Sequence, residues 1–422
     1  MHVLVLGGGG REHSLAWKIR QSPLVDRLSI APGNGGTSGV ATSVALDPMD
    51  GAAVAAWARA QAVDLVVVGP EAPLAAGVAD AVRSAGIAVF GPSAAAAQLE
   101  ASKGFTKEVC DACGAPTAAW ARFSDLEPAI DYVRAEGAPI VIKADGLAAG
   151  KGVIVAMTLE EAEAGLREIF SGAFGEAGAE VVIEEFMQGE EASFFVLTDG
   201  ETVLPLATAQ DHKRAFDGDK GPNTGGMGAY SPAPVISPEV AEQVMDEIVR
   251  PTIAEMKRRG TPFQGVLYVG LMIENGRGRL VEYNVRFGDP ECQVLMQRLE
   301  SDFVPALMAV AAGGLTEISL EWSAAPSMTV VLAAEGYPGS YQKGEPIGGL
   351  DAAESDDVVV FHAGTKLGPD GVESSGGRVL NVTARGADIA EARERAYAAV
   401  DQIDWPGGFC RRDIGWRVLA NT

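Results

Sequence analysis

Cysteine is scarce in this chain, and long apolar runs are missing. The 422 residues hold four cysteines, Cys110, Cys113, Cys292 and Cys410. Only Cys110 and Cys113 stand close together, as a CxxC, and neither a second pair nor a nearby histidine completes a zinc site. Free thiols, buried or half-buried, are the expectation. No stretch approaches the ~18 consecutive apolar residues of a membrane-spanning helix. Met1-His2-Val3-Leu4-Val5-Leu6 runs straight into Gly7, without a basic segment or a cleavage site. It reads as a first strand and not a signal peptide, so a cytoplasmic location is expected. Positive charge is short as well. Lys and Arg number 33 against 57 Asp and Glu, a formal net charge of −24. That balance disfavours nucleic acid and anionic membrane as partners. Any phosphate site must gather its own cations.

What is present supports a large folded chain. Hydrophobic residues make up 47%, which argues against disorder, and the length suits about two to four domains. Residues 3–6, 27–30, 64–68 and 87–90 read as strands, each ending in a Gly or Pro turn. Apolar strands between helices predict a parallel sheet with both faces covered, and ligands in such sheets sit beyond the strands' carboxyl ends. The pattern predicts one helix over residues 93–113 and strands over 139–144, 153–157 and 181–186. It also predicts a hairpin of residues 193–198 and 202–207 around Asp199-Gly200, and another of 265–273 and 279–285 around Asn275-Gly276. Residues 210–230 read as a long, polar, glycine-rich functional loop, and 291–312 as one helix. Strands over 328–334, 358–362 and 378–382, with a helix over 389–403, suggest a small α+β unit at the end.

The most informative segment is Leu280-Val281-Glu282-Tyr283-Asn284-Val285-Arg286-Phe287-Gly288-Asp289-Pro290-Glu291. Side chains two apart on a strand share a face, so Glu282, Asn284 and Arg286 project together. A carboxylate and an amide oxygen are hard ligands suited to Mg²⁺, which takes few protein carboxylates and completes its shell with water and phosphate. An arginine beside them suits charge on a phosphoryl or acyl group. The plain alternative is a half-exposed strand with solvated polar residues.

Other segments add parts. Gly7-Gly8-Gly9-Gly10-Arg11-Glu12-His13 follows the first strand and opens a helix, where amides favour an anion. A dinucleotide fingerprint needs a third glycine where Glu12 stands, and an acidic residue at the end of the second strand, where Ile30-Ala31-Pro32 is found. A phosphate-bearing substrate is therefore read here, not NAD. Lys103 and Lys143 suit nucleotide phosphates as point charges, Lys143 just before the glycine loop 146–152. Glu184-Glu185-Phe186-Met187 with Gly189-Glu190-Glu191 suits adenosine. Asp211-His212-Lys213-Arg214 supplies charge, and Asn223-Thr224-Gly225-Gly226-Met227-Gly228 supplies exposed amides for a small anion.

Taken together, these segments resemble the phosphoribosylamine–glycine ligase (glycinamide ribonucleotide synthetase) family of ATP-grasp enzymes. The matching stretches include 7–13, 31–34, 68–73, 102–107, 141–152, 183–191, 210–214, 221–234, 282–291, 361–366 and 410–416. The resemblance implies an α/β and α+β multidomain protein. A Rossmann-like domain would span 1–102, and a two-lobed ATP-grasp core 103–325 with a lid near 124–192. A small α+β C-terminal domain would span 326–422. It also implies ligation of glycine to 5-phosphoribosylamine with ATP and Mg²⁺ (or Mn²⁺), through a glycyl phosphate. Arg286, Lys143, Asp211 and Lys213 would be catalytic. Lys103, Lys143, Lys213, Glu184, Glu185, Phe186 and Glu191 would hold ATP, and Glu282 and Asn284 the metal. Gly8, Gly9, Gly10, Arg11, Gly33, Asn34, Asp211, Asn223, Thr224, Gly225, Gly226, Met227, Gly228 and Arg286 would face the substrates. The implied partners are small molecules, without nucleic acid or membrane, for a monomer or weak homodimer. The rival readings are another ATP-grasp enzyme (a carboxylase or formate-dependent transferase), an NAD-dependent oxidoreductase, and a non-catalytic nucleotide-binding protein.

Overall fold

The first sheet follows from strands that are apolar on both faces. His2–Gly7 and Leu65–Val68 are buried at every position, as parallel strands between two helical layers must be. In the computed structural model, which describes residues 1–147, 152–173 and 175–420, five parallel strands lie in the order Thr42–Ser43, Arg27–Pro32, His2–Gly7, Leu65–Val68, Ala88–Phe90. The chain runs outward to one side of the first strand and then to the other. The crevice between the ends of His2–Gly7 and Leu65–Val68 is therefore the switch point at which such sheets bind ligands.

A second, four-stranded antiparallel sheet is ordered Trp120–Phe123, Val181–Glu185, Ile140–Ala144, Val153–Ala156. Helices Leu126–Glu136 and Leu159–Glu168 accompany it, and together they bury a small core of their own around Ile130, Ile142, Leu166 and Ile183. Thr158 caps the second of these helices, its hydroxyl accepting the Glu161 N–H.

The central sheet runs Val203–Pro205, Glu190–Asp199, Gln264–Glu274, Arg277–Asn284, all antiparallel. The last two strands are joined by Asn275 and Gly276, both with positive φ (51° and 72°), the tight hairpin turn their sequence predicts. A bulge interrupts this pair: Gly270 faces Glu282 while Leu271 faces Leu280, leaving Val281 without an opposite residue. Bulges re-aim neighbouring side chains, and this one stands next to Glu282.

The last sheet is not confined to the end of the chain. Gln210–Asp211 pairs with Gly228–Ser231, which pairs in turn with Ser327–Ala334; beyond it lie Arg378–Arg385 and then Val358–His362, while Gly408–Phe409 also pairs with Ser327–Ala334. The segment 210–230, read from sequence as a long loop, is thus four short strands; Arg214–Phe216 and Lys220–Asn223 make its outer hairpin. Its glycines carry no strand propensity, and pairing with residues a hundred positions downstream supplies the order.

Two predicted helices are each broken in two. Residues 93–113 contain Gln98–Ala101 and Lys103–Cys113, separated by Ser102 in extended conformation, whose hydroxyl caps the second helix at Phe105 N. Residues 291–312 contain Glu291–Arg298 and Val304–Ala312. Pro305 sits in the first turn of the second helix and would clash with the carbonyl of residue 301 if the helix ran through. Among the described residues no helix is long and apolar enough to cross a membrane. All four cysteines are free thiols, Cys110 and Cys292 buried, Cys113 and Cys410 half-buried.

Candidate active site

A cavity of about 520 Å³ lies between the four-stranded sheet of residues 120–185 (the lid-like sheet, from the position the resemblance gave a lid), the central sheet and the end of the first sheet. Each side chain in it is placed by local structure. Lys103 opens the helix Lys103–Cys113 because Ser102 turns the chain. Its N–H donates to Asp145 Oδ1 at 2.6 Å, and its ammonium donates to the Gly146 carbonyl. Lys143 ends the strand Ile140–Ala144 and reaches Glu184 at 2.9 Å and the Val281 carbonyl at 3.1 Å. Burial lowers the pKa of Lys103, whereas for Lys143 the carboxylates of Glu184 and Glu282 overcome burial and raise it. Both are aimed at one space.

Glu282 and Asn284 line the same space from the edge strand of the central sheet. Gly270, directly across, leaves room for the Glu282 stem: a Cβ there would stand 3.2 Å from Glu282 Cγ. Both residues are half-buried. Among the described residues, neither the Glu282 carboxylate nor the Asn284 amide is engaged in a side-chain hydrogen bond or ion pair. Hard oxygen donors with free lone pairs, two residues apart, fit a divalent cation that completes its shell with phosphate and water.

Opposite them, Lys213 joins Asp211 at 3.0 Å to Glu191 at 2.7 Å. The ammonium holds the Glu191 carboxyl below its usual range, and the two carboxylates in turn overcome burial and raise Lys213. Arg286 is fixed by Glu71 at 3.1 Å and Glu100 at 2.8 Å, with a third donor on the Phe287 carbonyl at 3.3 Å. A guanidinium has five N–H donors, so among the described residues two are not engaged. Glu291 opens the helix Glu291–Arg298, with Ser193 Oγ 3.1 Å from its carboxylate. Burial, and the charge of Asp211 nearby, push it up to about 7. The cavity thus gathers the cations that a chain of net charge −24 must concentrate locally.

Three family models match almost the whole chain: the phosphoribosylglycinamide synthetase N domain over residues 1–100, its ATP-grasp (A) domain over 101–292 and its C domain over 327–417. The chain belongs to the phosphoribosylglycinamide synthetase family. It is 61% identical to a phosphoribosylamine–glycine ligase of Agrobacterium fabrum, over all of this chain and 99% of that one. The crystal structure of the phosphoribosylamine–glycine ligase of Thermotoga maritima superposes with a TM-score of 0.86 at 32% identity, covering 98% of this chain and 100% of that one. A biotin carboxylase of Campylobacter jejuni shares the fold, with a TM-score of 0.74 at 14% identity, over 97% of this chain and 92% of that one.

Within this family frame, the residues expected from sequence divide in two. Arg11, Lys103, Lys143, Glu184, Glu185, Phe186, Glu191, Asp211, Lys213, Asn223, Thr224, Gly225, Glu282, Asn284 and Arg286 all line the cavity. Gly8, Gly9, Gly10, Gly33, Asn34, Gly226, Met227 and Gly228 are not in its lining. The Gly9 N–H donates to Glu12 at 2.7 Å, and a Cβ on Gly69 would stand 2.2 Å from the same carboxylate. Glu12 therefore fills the crevice where a dinucleotide would lay its phosphates. Asn34 spends its amide on the carbonyls of Gly8 and His362, at 3.0 and 2.7 Å. Met227 is fully buried in the core of the last sheet, and Gly228 pairs with Val330. Part of the glycine loop, residues 148–151, lies outside the described residues. Glu71, Glu100, Lys107, Tyr268, Asp289, Glu291, Tyr337 and Arg378 also line the cavity. Glu71 and Lys107 fall in the matching stretches 68–73 and 102–107, whereas nothing local marks Glu100 and Tyr268. Arg378 arrives from the last sheet and binds the carbonyls of Gly225 and Asp289 at 2.7 and 2.6 Å.

Proposed function

We propose that the chain joins glycine to 5-phosphoribosylamine at the expense of ATP, giving glycinamide ribonucleotide, ADP and phosphate. The observation that carries this reading is the pair of unengaged donors, Glu282 and Asn284, facing Lys103 and Lys143 across one cavity, in a chain matched end to end by this family. A carboxylate is a poor electrophile, so glycine must first take a phosphoryl group. Lys103 and Lys143 hold the nucleotide phosphates, Glu191 the ribose, and Glu184, Glu185 and Phe186 border the base. Glu282 and Asn284 would hold a divalent cation, Mg²⁺ (or Mn²⁺), which when bound would supply charge neutralisation to the phosphate oxygens. Arg286 offers its two remaining N–H groups to the glycine carboxylate and then to the acyl phosphate. Asp211 and Lys213, with the amides at Asn223 to Gly225, position glycine and the amine. The sugar phosphate is assigned to the Arg11 end of the cavity, beside the turns that hold Gly8–Gly10, Gly33 and Asn34. When the amine attacks, the C–N bond forms, the bond from carbon to phosphate oxygen breaks and a proton leaves the nitrogen. No protein nucleophile is required; positioning and electrostatics suffice.

The deciding experiment measures ADP release from purified protein with ATP, Mg²⁺ and glycine, with and without freshly generated phosphoribosylamine. ADP that requires both substrates, matched by glycinamide ribonucleotide, supports the reading. ADP formed instead with formate or bicarbonate would overturn the substrate and leave the fold.

A further inference from the structure

The carboxylates that line the cavity are nearly all matched to a cation. Most are ion-paired, to Arg286, Lys143, Lys213, Arg279 or Arg378. Among the described residues two of them make no ion pair, Glu282 and Glu291. Glu282 belongs with Asn284 to the metal subsite. Glu291 has no such task.

It is nonetheless a held group. Glu291 is 4% exposed and opens the helix Glu291–Arg298, where an anion is favoured. Ser193 Oγ lies 3.1 Å from its Oε1 and 3.0 Å from the Tyr268 hydroxyl, so the carboxylate is oriented from the central sheet. The other oxygen lies over Gly288, where a Cβ would come within 2.3 Å of Oε2. Any larger residue at 288 would push the carboxylate aside. Gly288 stands two residues from Arg286, whose guanidinium has two N–H groups not engaged among the described residues. A cation edge and a carboxylate thus border one cavity, near each other in the chain and not ion-paired with each other.

Glycine is a zwitterion that carries the same two charges in reverse. Its carboxylate is assigned to Arg286. Its ammonium then enters a cavity where a charge without a counter-charge is costly. Asp211 and Glu191 are already neutralised by the Lys213 between them, so Glu291 is the acceptor that remains. Burial and the charge of Asp211 pull its carboxyl upward, the mark of a buried acid that lacks a cation.

We propose that Glu291 holds the ammonium group of glycine while Arg286 holds its carboxylate, and so makes the site selective for an amino acid over carboxylic acids without an amine. The proposal rests on the reading that this cavity ligates glycine. It also bears on which nitrogen reacts. An ammonium kept as a cation is no nucleophile, which leaves attack on the acyl phosphate to the amine of phosphoribosylamine.

The test measures KM for glycine and for ATP in the complete ligation reaction, and the inhibition constant of glycolate against glycine, for wild type, Glu291→Gln and Ser193→Ala. Glycolate keeps the carboxylate and carries a hydroxyl in place of the ammonium. Glu291→Gln should raise KM for glycine by about tenfold or more, the worth of one charge-assisted hydrogen bond, and leave KM for ATP unchanged. Glycolate should bind this variant at least as well as wild type. Ser193→Ala, which removes only the hydroxyl that orients the carboxylate, should move KM for glycine the same way by less. A merely structural role raises all three constants together; that result in folded variants, or an unchanged KM for glycine, overturns the proposal. If Glu291→Gln does not fold, Ser193→Ala decides alone. Wild type that forms no glycinamide ribonucleotide from glycine overturns the parent reading, and this proposal with it.

Discussion

The imidazole of His13 accepts the backbone N–H of His362 at 2.9 Å, across 349 residues of sequence. The two rings lie 5.7 Å apart, and His362 continues to Thr365 Oγ1 at 3.1 Å. This junction joins the first helix of the chain to the edge of its last sheet, behind the turn that holds Asn34. Burial, with His362 beside it, lowers His13 to about 3, and burial lowers His362 to about 4.

The sign of the resulting pH dependence is fixed. Below the ordinary value of 6.5 the unfolded chain binds protons that the folded chain refuses. Stability should therefore be full above that value and fall toward pH 4, by up to about 1.4 kcal/mol per pH unit for each histidine. His13→Asn should flatten the slope of unfolding free energy against pH in that window, whatever it does to the absolute level. Urea unfolding at several pH values reads this directly, and an unchanged slope would refute it.

Glu291 predicts the opposite trend. Its carboxyl is raised from 4.5 to about 7, so the folded chain keeps a proton that the unfolded one has lost. Stability contributed by this group falls as pH rises from 4.5 to 7 and is constant beyond. Glu291→Gln stays neutral throughout. In metal- and nucleotide-free protein its melting temperature should match wild type near pH 4.5 and exceed it above pH 7, and differential scanning calorimetry checks the crossover.

Glu282→Ala should separate chemistry from folding. The side chain is half-buried and, among the described residues, makes no side-chain hydrogen bond or ion pair, so stability should change by no more than about 0.5 kcal/mol. ADP formation should be lost, because one of the two metal donors is gone. Retained turnover in the folded variant would remove the metal assignment.

Arg286→Met should cost both. It leaves Glu100 and Glu71 without their guanidinium. Breaking a buried pair from one side costs on the order of 3–5 kcal/mol. Glu71, now held near 2 by Arg286 and Arg11 against the effect of burial, should titrate higher. Arg286→Lys should recover only part of the loss, since a point charge does not reproduce the fork that spans two carboxylates. Chemical denaturation and steady-state kinetics measure the two effects separately.

Much of this was legible in the sequence. The parallel strands announced themselves as apolar runs ending in Gly or Pro, and the hairpin at Asn275-Gly276 by its turn residues. The alternation of Glu282 and Asn284 put both on the cavity face, and the bulge at Val281 did not disturb it. What sequence did not disclose depends on long-range pairing. Ser102 breaks a helical pattern because it caps the next helix and meets Asp145 across 43 residues. Within 210–230, the strand Gly228–Ser231 takes its place in the last sheet only because residues 327–330 lie alongside. Glu12 closes the glycine crevice, and that shows only once Gly69 is brought against it. Lys107, in an ordinary helical stretch, carries no local mark of the Glu184 carboxylate it meets at 3.2 Å.

The shared last sheet bears on how the molecule is made. As the chain leaves the ribosome, Gly228–Ser231 emerges about a hundred residues ahead of Ser327–Ala334, its partner in the sheet. Until that partner arrives, this strand has an open edge, the kind of surface that invites wrong pairing. The lid-like sheet, by contrast, has every strand in hand by residue 185. Synthesis therefore completes the sheet of residues 120–185 first and the last sheet last, and a nascent chain stalled short of residue 334 exposes that unpaired edge.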